Sequence, residues 1–223
     1  MGDDFKKKVV EILKRFKFNF SENSDEFKIS LYDKDKKIGF LRPITNLLGE
    51  DEENYVKLLS QWRSDNWQAY PTVFKVTHEG TRKWIKEQLV EREDRILFMI
   101  IANNNYPIGH LGLSNFNFGK KEAEIDNVVR GVKNTFPGAL TLALNTVNDW
   151  AFNKLGLVKL FLRVFYDNTH AIKFYERCGF KGIKKIPLRK IVDGDVVKFE
   201  ELSKDEESLS NRYFYLMELE QGR

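Results

Sequence analysis

The residues of this chain best placed to do chemistry lie in one run, Asp167-Asn168-Thr169-His170-Ala171-Ile172-Lys173-Phe174-Tyr175-Glu176-Arg177-Cys178-Gly179-Phe180. An α-helix advances about 100° per residue, so positions seven apart fall almost on one line. Asn168 and Tyr175 stand in that relation, with Ala171 and Ile172 between them on the same face. The small side chain at 171 leaves room for a molecule to lie along the helix. Asn168 offers an amide donor and acceptor at one end, and Tyr175 a phenol at the other. A phenol with a pKa of about 10 keeps its proton at neutral pH, gives it to a leaving group and regains it from solvent. Read singly, Asn168 is a helix cap and Tyr175 a packed tyrosine. A ligand along the helix gives the two a common purpose.

The elements around this run must hold it in place. Leu157 to Phe165 reads as a strand leading into it, and Gly179 suits the left-handed position that ends a helix. Upstream, Phe5, Val9, Ile12, Leu13 and Phe16 predict an amphipathic helix over 4–17, followed by a polar loop over 18–26. Residues 27–32 and 38–43 alternate and predict a hairpin. Helices are expected over 51–63 and 77–91, the second capped by Thr77. Strands are expected over 96–102, 108–116 and 122–130, then a helix over 139–154. After the motif, strands are expected over 180–188, 191–201 and 212–220. This order predicts an α/β (α+β) fold, a mixed and mostly antiparallel sheet with helices on both faces. Residues 1–26 read as an N-terminal helical extension, 27–223 as a single domain, and 187–223 as an extended C-terminal β arm.

Composition narrows the function classes. The 223 residues are 42% apolar, enough for a sizeable core. Net charge is +4, from 37 basic and 33 acidic residues interspersed along the chain. That is a solvated mixed surface, so nucleic acid is not expected as a partner. No apolar run approaches the ~20 residues of a membrane helix, so no membrane association is expected. The lone Cys178 excludes an intrachain disulfide, in keeping with a cytoplasmic location. Cys178 reads as a buried structural thiol and His110 as a structural histidine in a strand. The three histidines lack partners at ligand spacing, so no metal is expected.

The run from Asp167 to Phe180 resembles the last signature motif of the GNAT acetyltransferases, D/S-N-x-x-A-x-x-x-Y-x-x-x-G-F, and matches every fixed position of it. The arrangement of elements from about 38 to 186 is similar to the same family. Leu41-Arg42-Pro43-Ile44-Thr45 and the pair Trp62-Arg63 resemble its branch of ribosomal-protein and nucleotide-sugar N-acetyltransferases. The resemblance implies the GNAT fold, acetyl-CoA as cosubstrate, and direct transfer to an amine. It implies that Asn168, Ala171 and Phe174 lie against the CoA arm and that Tyr175 protonates the departing thiolate. It places the pyrophosphate loop at 130–139. There Asn134 stands where the family has Gln or Arg, and Pro137, which has no N–H, where it has the first Gly. Gly138 and Ala139 complete that loop at a helix N-terminus suited to anions. Backbone at Val128 and Val129 would meet the thioester.

The acceptor amine must be neutral to attack, and a carboxylate can take its proton. Glu124 and Asp126 share one face of a regular strand and are the candidates. Trp62 and Arg63 are the candidates on the acceptor side. With the arm, these features look most like enzymes that acetylate an amino sugar on a nucleotide carrier. A protein N-terminal acetyltransferase is the alternative among enzymes, and a non-catalytic acyl-CoA-binding protein the alternative outside them. The arm is long enough to wall an acceptor pocket or to pair between the subunits of a homodimer.

Overall fold

The computed structural model describes residues 2–19, 25–45, 50–132 and 137–222. Helix α1 (Gly2–Phe18) leads into the hairpin β1 (Ile29–Asp33) and β2 (Lys36–Pro43). Next come α2 (Glu50–Asp65), the short strand β3 (Thr72–Val73) and α3 (His78–Trp84). The meander β4 (Ile96–Ala102), β5 (Pro107–Asn117) and β6 (Glu122–Arg130) is followed by α4 (Ala139–Trp150), β7 (Lys159–Phe165) and α5 (Thr169–Arg177). The chain closes with β8 (Lys181–Asp193), β9 (Val196–Glu201) and β10 (Arg212–Glu220). All ten strands join one sheet in the order β1-β2-β4-β5-β6-β7-β10-β8-β9-β3. Among the described residues only β6 and β7 pair in parallel.

The sheet is covered on both faces, and β4 shows why. Its sequence ILFMIIA is apolar throughout and buried throughout. Ile96, Phe98 and Ile100 enter the principal core with α1, α4 and α5. Leu97, Met99 and Ile101 enter the second core with α2 and α3. A strand with two buried faces gains nothing from alternation, so it reads as a continuous apolar run.

Helix α1 is part of the principal core. Val9 and Leu13 are fully buried, and the Phe16 ring meets Phe98 and Trp150 edge-on. Lys17 is buried at its end and donates to the carbonyls of Leu89, Val90 and Arg92. Those carbonyls close a π-helical turn, Ile85–Val90, that continues α3. Helix ends leave carbonyls without partners inside the helix, and Lys17 meets that need from a distant element.

One sequence expectation changes and one element is new. The segment 191–201 is not one strand, because β8 runs on to Asp193 and turns at Gly194 (φ +54°) into β9. The pairing of β3 with β9 also lies outside the sequence reading, since two residues carry no periodicity. Most of the expected loop at 18–26 lies outside the described residues.

Candidate active site

The site begins where β6 and β7 part. Their parallel pairing covers only Glu122↔Lys159, Ala123↔Leu160 and Glu124↔Phe161. Beyond it β6 stays with β5 and β7 stays with β10, so a wedge opens between them. Within the wedge β6 bulges. Between the pairs His110↔Val129 and Gly112↔Asp126, one residue of β5 faces two of β6. Asn127 takes a left-handed φ of +50° there. A bulge of this kind re-aims backbone groups that a regular ladder would consume.

His110 pins the bulge. It is 3% exposed, and its Nδ1–H donates to the Asn127 carbonyl at 2.7 Å. Burial pushes its imidazole down to about 4, so it is neutral near pH 7 and carries the single donor this bond needs. Trp62 stacks on His110 with centroids 5.8 Å apart. A Cβ on Gly131 would lie 2.0 Å from the same indole, so this tryptophan sits close against the strand's exit. At 4% exposure Trp62 is a core residue behind the wedge and does not border the cavity.

Helix α5 forms one wall. Asn168 caps it, its Oδ1 accepting from Ala171 N–H at 3.1 Å. Arg212 of β10 forks onto the preceding Asp167 at 3.0 and 3.1 Å, which fixes where the helix starts. Asn168, Ala171, Phe174 and Tyr175 border the cavity, while Ile172, expected on the same face as Asn168, Ala171 and Tyr175, is not among the residues that do. Burial raises the Tyr175 phenol above its ordinary value, and the negative charge of Asp126 adds to the rise. It is a held proton beside a carboxylate. Cys178 is buried, its thiol raised by burial, and does not border the cavity.

Helix α4 opens at the same cavity through Gly138, Leu140 and Thr141. Gly138 takes φ +82° with open space where a Cβ would stand. The first N–H groups of a helix have no partner inside it, and the helix dipole favours an anion there. Pro137 is exposed, and Ala139 is buried in the principal core. Neither is among the residues bordering the cavity. Asn134 lies outside the described residues. Val128 and Val129 border the cavity at the bulge.

The cavity has a volume of about 1010 Å³. On its far side Glu124 and Asp126 do share one face, yet their partners divide them. Arg163 of β7 forks onto Glu124 at 2.8 and 2.8 Å, and Asn115 donates to the same carboxylate at 2.6 Å. Three donors converge on a side chain in a residue only 7% exposed. Arg163 also reaches Glu201 of β9 at 2.5 Å, and these ion pairs raise its guanidinium further. Asp126 instead receives a bond from Arg95 at one oxygen, Oδ2, at 2.5 Å. The remaining wall comes from Tyr70 and from Phe199, Glu200, Glu201 and Phe214 of the C-terminal strands.

Residues 38–181 match the family model of the acetyltransferase (GNAT) domain, well over half of the chain. The chain belongs to the GNAT acetyltransferase family. It is an acetyl-CoA-dependent N-acetyltransferase. Solved structures with the same fold include a probable GNAT acetyltransferase from Chromobacterium violaceum ATCC 12472, with TM-score 0.62 and 16% identity, covering 91% of this chain and 93% of that one. Another is spermidine N-acetyltransferase from Vibrio cholerae in complex with CoA and spermine, with TM-score 0.59 and 18% identity, covering 81% and 94%. At such identities the likeness speaks to fold. No curated protein matches the chain in sequence.

In this GNAT chain the wedge, the bulge, the open start of α4 and the Asn168–Tyr175 face all meet at one cavity, which suits an extended carrier ending in a phosphate group. Among the described residues no cluster of His, Cys, Asp and Glu is arranged to hold a metal ion, and no helix is long and apolar enough to cross a membrane. Sequence reasoning missed Tyr70, Arg95 and Arg163. An arginine deep in the apolar strand LVKLFLRVF was a usable signal for Arg163. Tyr70 and Arg95 carry none, because only the fold brings them to β6.

Proposed function

We propose that this GNAT enzyme transfers acetyl directly from acetyl-CoA to a primary amine held beside Asp126, with Tyr175 as the general acid. The observation that carries this reading is that Asp126, Tyr175 and the β6 bulge border one cavity large enough for both substrates. Acetyl-CoA supplies the activated acyl group. Asp126 takes the proton that the attacking amine must lose. Backbone N–H at the bulge polarises the thioester carbonyl. Tyr175 gives its proton to the departing sulfur and regains one from solvent, while Asp126 releases to solvent the proton it took, so charge balances over the cycle. Glu124, committed to Arg163 and Asn115, acts as a support and not as the base.

For the acceptor we favour an amine on a polar carrier without several positive charges, such as an amino sugar on a nucleotide. The support is charge balance. Each carboxylate bordering the cavity has a cationic partner: Glu124 and Glu201 share Arg163, Asp126 has Arg95, and Glu200 has Lys198. Aromatic edges from Tyr70, Phe199 and Phe214 add stacking surface. The second reading is a polyamine, as the spermidine enzymes of like fold suggest. Glu200 and Glu201, adjacent on the arm, are where a distal ammonium would bind.

The test is thiol release from acetyl-CoA against a nucleoside-diphosphate-linked amino hexose, spermidine and a peptide with a free N-terminus. Tyr175→Phe is expected to lower kcat roughly 100- to 10,000-fold, with little change in acetyl-CoA affinity. Unchanged kcat in that variant removes the proposed acid. Acetyl-CoA binding without turnover on any amine would favour a non-catalytic binding protein.

A further inference from the structure

Tyr70 stands at the cavity on an otherwise unremarked segment between α2 and β3. Its backbone N–H closes a single 3-10 turn on Trp67 O at 3.2 Å. The next residues join the C-terminal arm: Pro71 O accepts from Phe199 N–H at 2.8 Å, and Thr72 pairs with Lys198. Arg63 holds this segment from behind. Its guanidinium lies 3.6 Å from the centre of the Tyr70 ring, and its Nη2 donates to Thr72 O at 2.9 Å. A cation on the ring face and an anchor two residues on leave Tyr70 little freedom. Arg63 itself does not border the cavity.

The surroundings of Tyr70 are those of the reaction centre. Tyr70, Asp126 and Tyr175 border one cavity, and Asp126 and Tyr70 both act electrostatically on Tyr175. They reach it from three elements: Asp126 from β6, Tyr175 from α5, Tyr70 from the wall that carries the arm. Burial pushes the Tyr70 phenol up to about 12, with Arg63 opposing the rise, so Tyr70 is a neutral hydroxyl across the working range. The Tyr70 hydroxyl shares a side-chain hydrogen bond with Arg63, in which the guanidinium donates and the phenol oxygen accepts. Its own O–H is then left to donate into the cavity that Asp126 also borders, where an amine or hydroxyl of the acceptor can receive it.

We infer that Tyr70 is an acceptor-binding residue that orients the attacking amine beside Asp126, and that Arg63 is the positioning residue that fixes Tyr70. This rests on the transferase reading above. It explains how the Trp62-Arg63 pair serves the acceptor side without touching it: Trp62 supports the bulge, and Arg63 supports Tyr70.

The experiment is steady-state kinetics of wild type, Tyr70→Phe, Arg63→Met and the double variant. Acetyl-CoA is varied against the nucleoside-diphosphate-linked amino hexose and against spermidine. Tyr70→Phe keeps the ring against which the Arg63 guanidinium lies and removes the hydroxyl together with its bond to Arg63. The expected result is a rise of about tenfold in the KM of the better acceptor, with the KM of acetyl-CoA within about twofold. Arg63→Met is expected to raise the same KM and to add little on top of Tyr70→Phe. An unchanged acceptor KM in Tyr70→Phe overturns the inference, as does an equal rise in both KM values. Full additivity of the two changes overturns the role of Arg63. If Tyr175→Phe loses turnover while Tyr70→Phe behaves as wild type, the transferase reading stands and the inference falls. Turnover of neither amine, nor of a peptide with a free N-terminus, removes both.

Discussion

Acidification from pH 7 to pH 5 is expected to loosen this protein through His110. The imidazole is buried and held neutral, its pKa taken from 6.5 down to about 4. The unfolded chain therefore binds a proton between those values that the folded chain refuses. Stability rises with pH wherever the unfolded state binds more protons, so here it falls as pH drops below 6.5. The full loss is about 3 kcal/mol, of which about 2 kcal/mol is gone by pH 5. His110→Gln supplies the control, because an amide can still donate to Asn127 O but does not titrate. Urea unfolding of both proteins across pH 4.5 to 7.5 gives the difference in stability at each pH. The wild type should lose ground to the variant steadily below pH 6.5 and run parallel to it above. Paired carboxylates titrate in both proteins and cancel in the difference. Curves that stay parallel down to pH 4.5 would refute the claim that the histidine is held neutral at the bulge. Acetyl-CoA affinity of the folded protein should not change through His110 between pH 7 and pH 5, since the folded state keeps the imidazole neutral and its bond to Asn127 intact.

Two further changes probe the supports of the site. Gly131→Ala puts a methyl group 2.0 Å from the Trp62 indole. It should cost about 1–3 kcal/mol and lower acetyl-CoA affinity, while an unchanged melting temperature would show that Trp62 yields easily. Arg163→Gln leaves the Glu124 carboxylate with Asn115 as its remaining donor, at a cost of about 3 kcal/mol, at the low end because the arginine is partly open to the cavity. The double change Arg163→Gln with Glu124→Gln should recover most of that stability. Failure to recover would show that the tie to Glu201, and not the buried charge, dominates.

What the sequence made legible was local. The cap at Asn168, the face carrying Ala171 and Tyr175, and the left-handed Gly179 all follow from spacing inside one short helix. The order of strands and helices from 96 onward was equally plain, because each element carries its own apolar pattern, a continuous run in β4 and a periodic one in the helices. The bulge was not. Alternation runs from Glu122 to Asp126 and breaks only at Asn127, too short a lapse to mark a bulge by itself, and the register against β5 shows that one residue too many is present. The division of labour between Glu124 and Asp126 was hidden for a similar reason. Both sit on the expected face, and what separates them is the reach of Arg163, Asn115 and Arg95 from other elements. The acceptor wall is the least local feature of all, assembled from Tyr70 and from strands more than a hundred residues later.

The parting of β6 and β7 argues for direct transfer in its own right. Each strand keeps an antiparallel partner on its outer side, so the sheet survives although only three residue pairs join its halves across this seam. The inner edge of β6 beyond Glu124 is left with backbone N–H and C=O groups that β7 does not meet, and buried groups of that kind need partners. A carrier arm built of amides can meet them as an added strand would. Such an arm would be led past the bulge to Tyr175. Asp126 lies on the same strand just before the bulge, and the acceptor wall faces it. An acyl-enzyme route needs a nucleophile at this point. The lone thiol is buried behind α5 with its proton held more tightly than usual, and the side chains that meet here are a carboxylate and two phenols. On the proposed reading the acceptor amine itself is the attacking group, with the protein supplying position, a proposed proton sink at Asp126 and a proposed proton source at Tyr175.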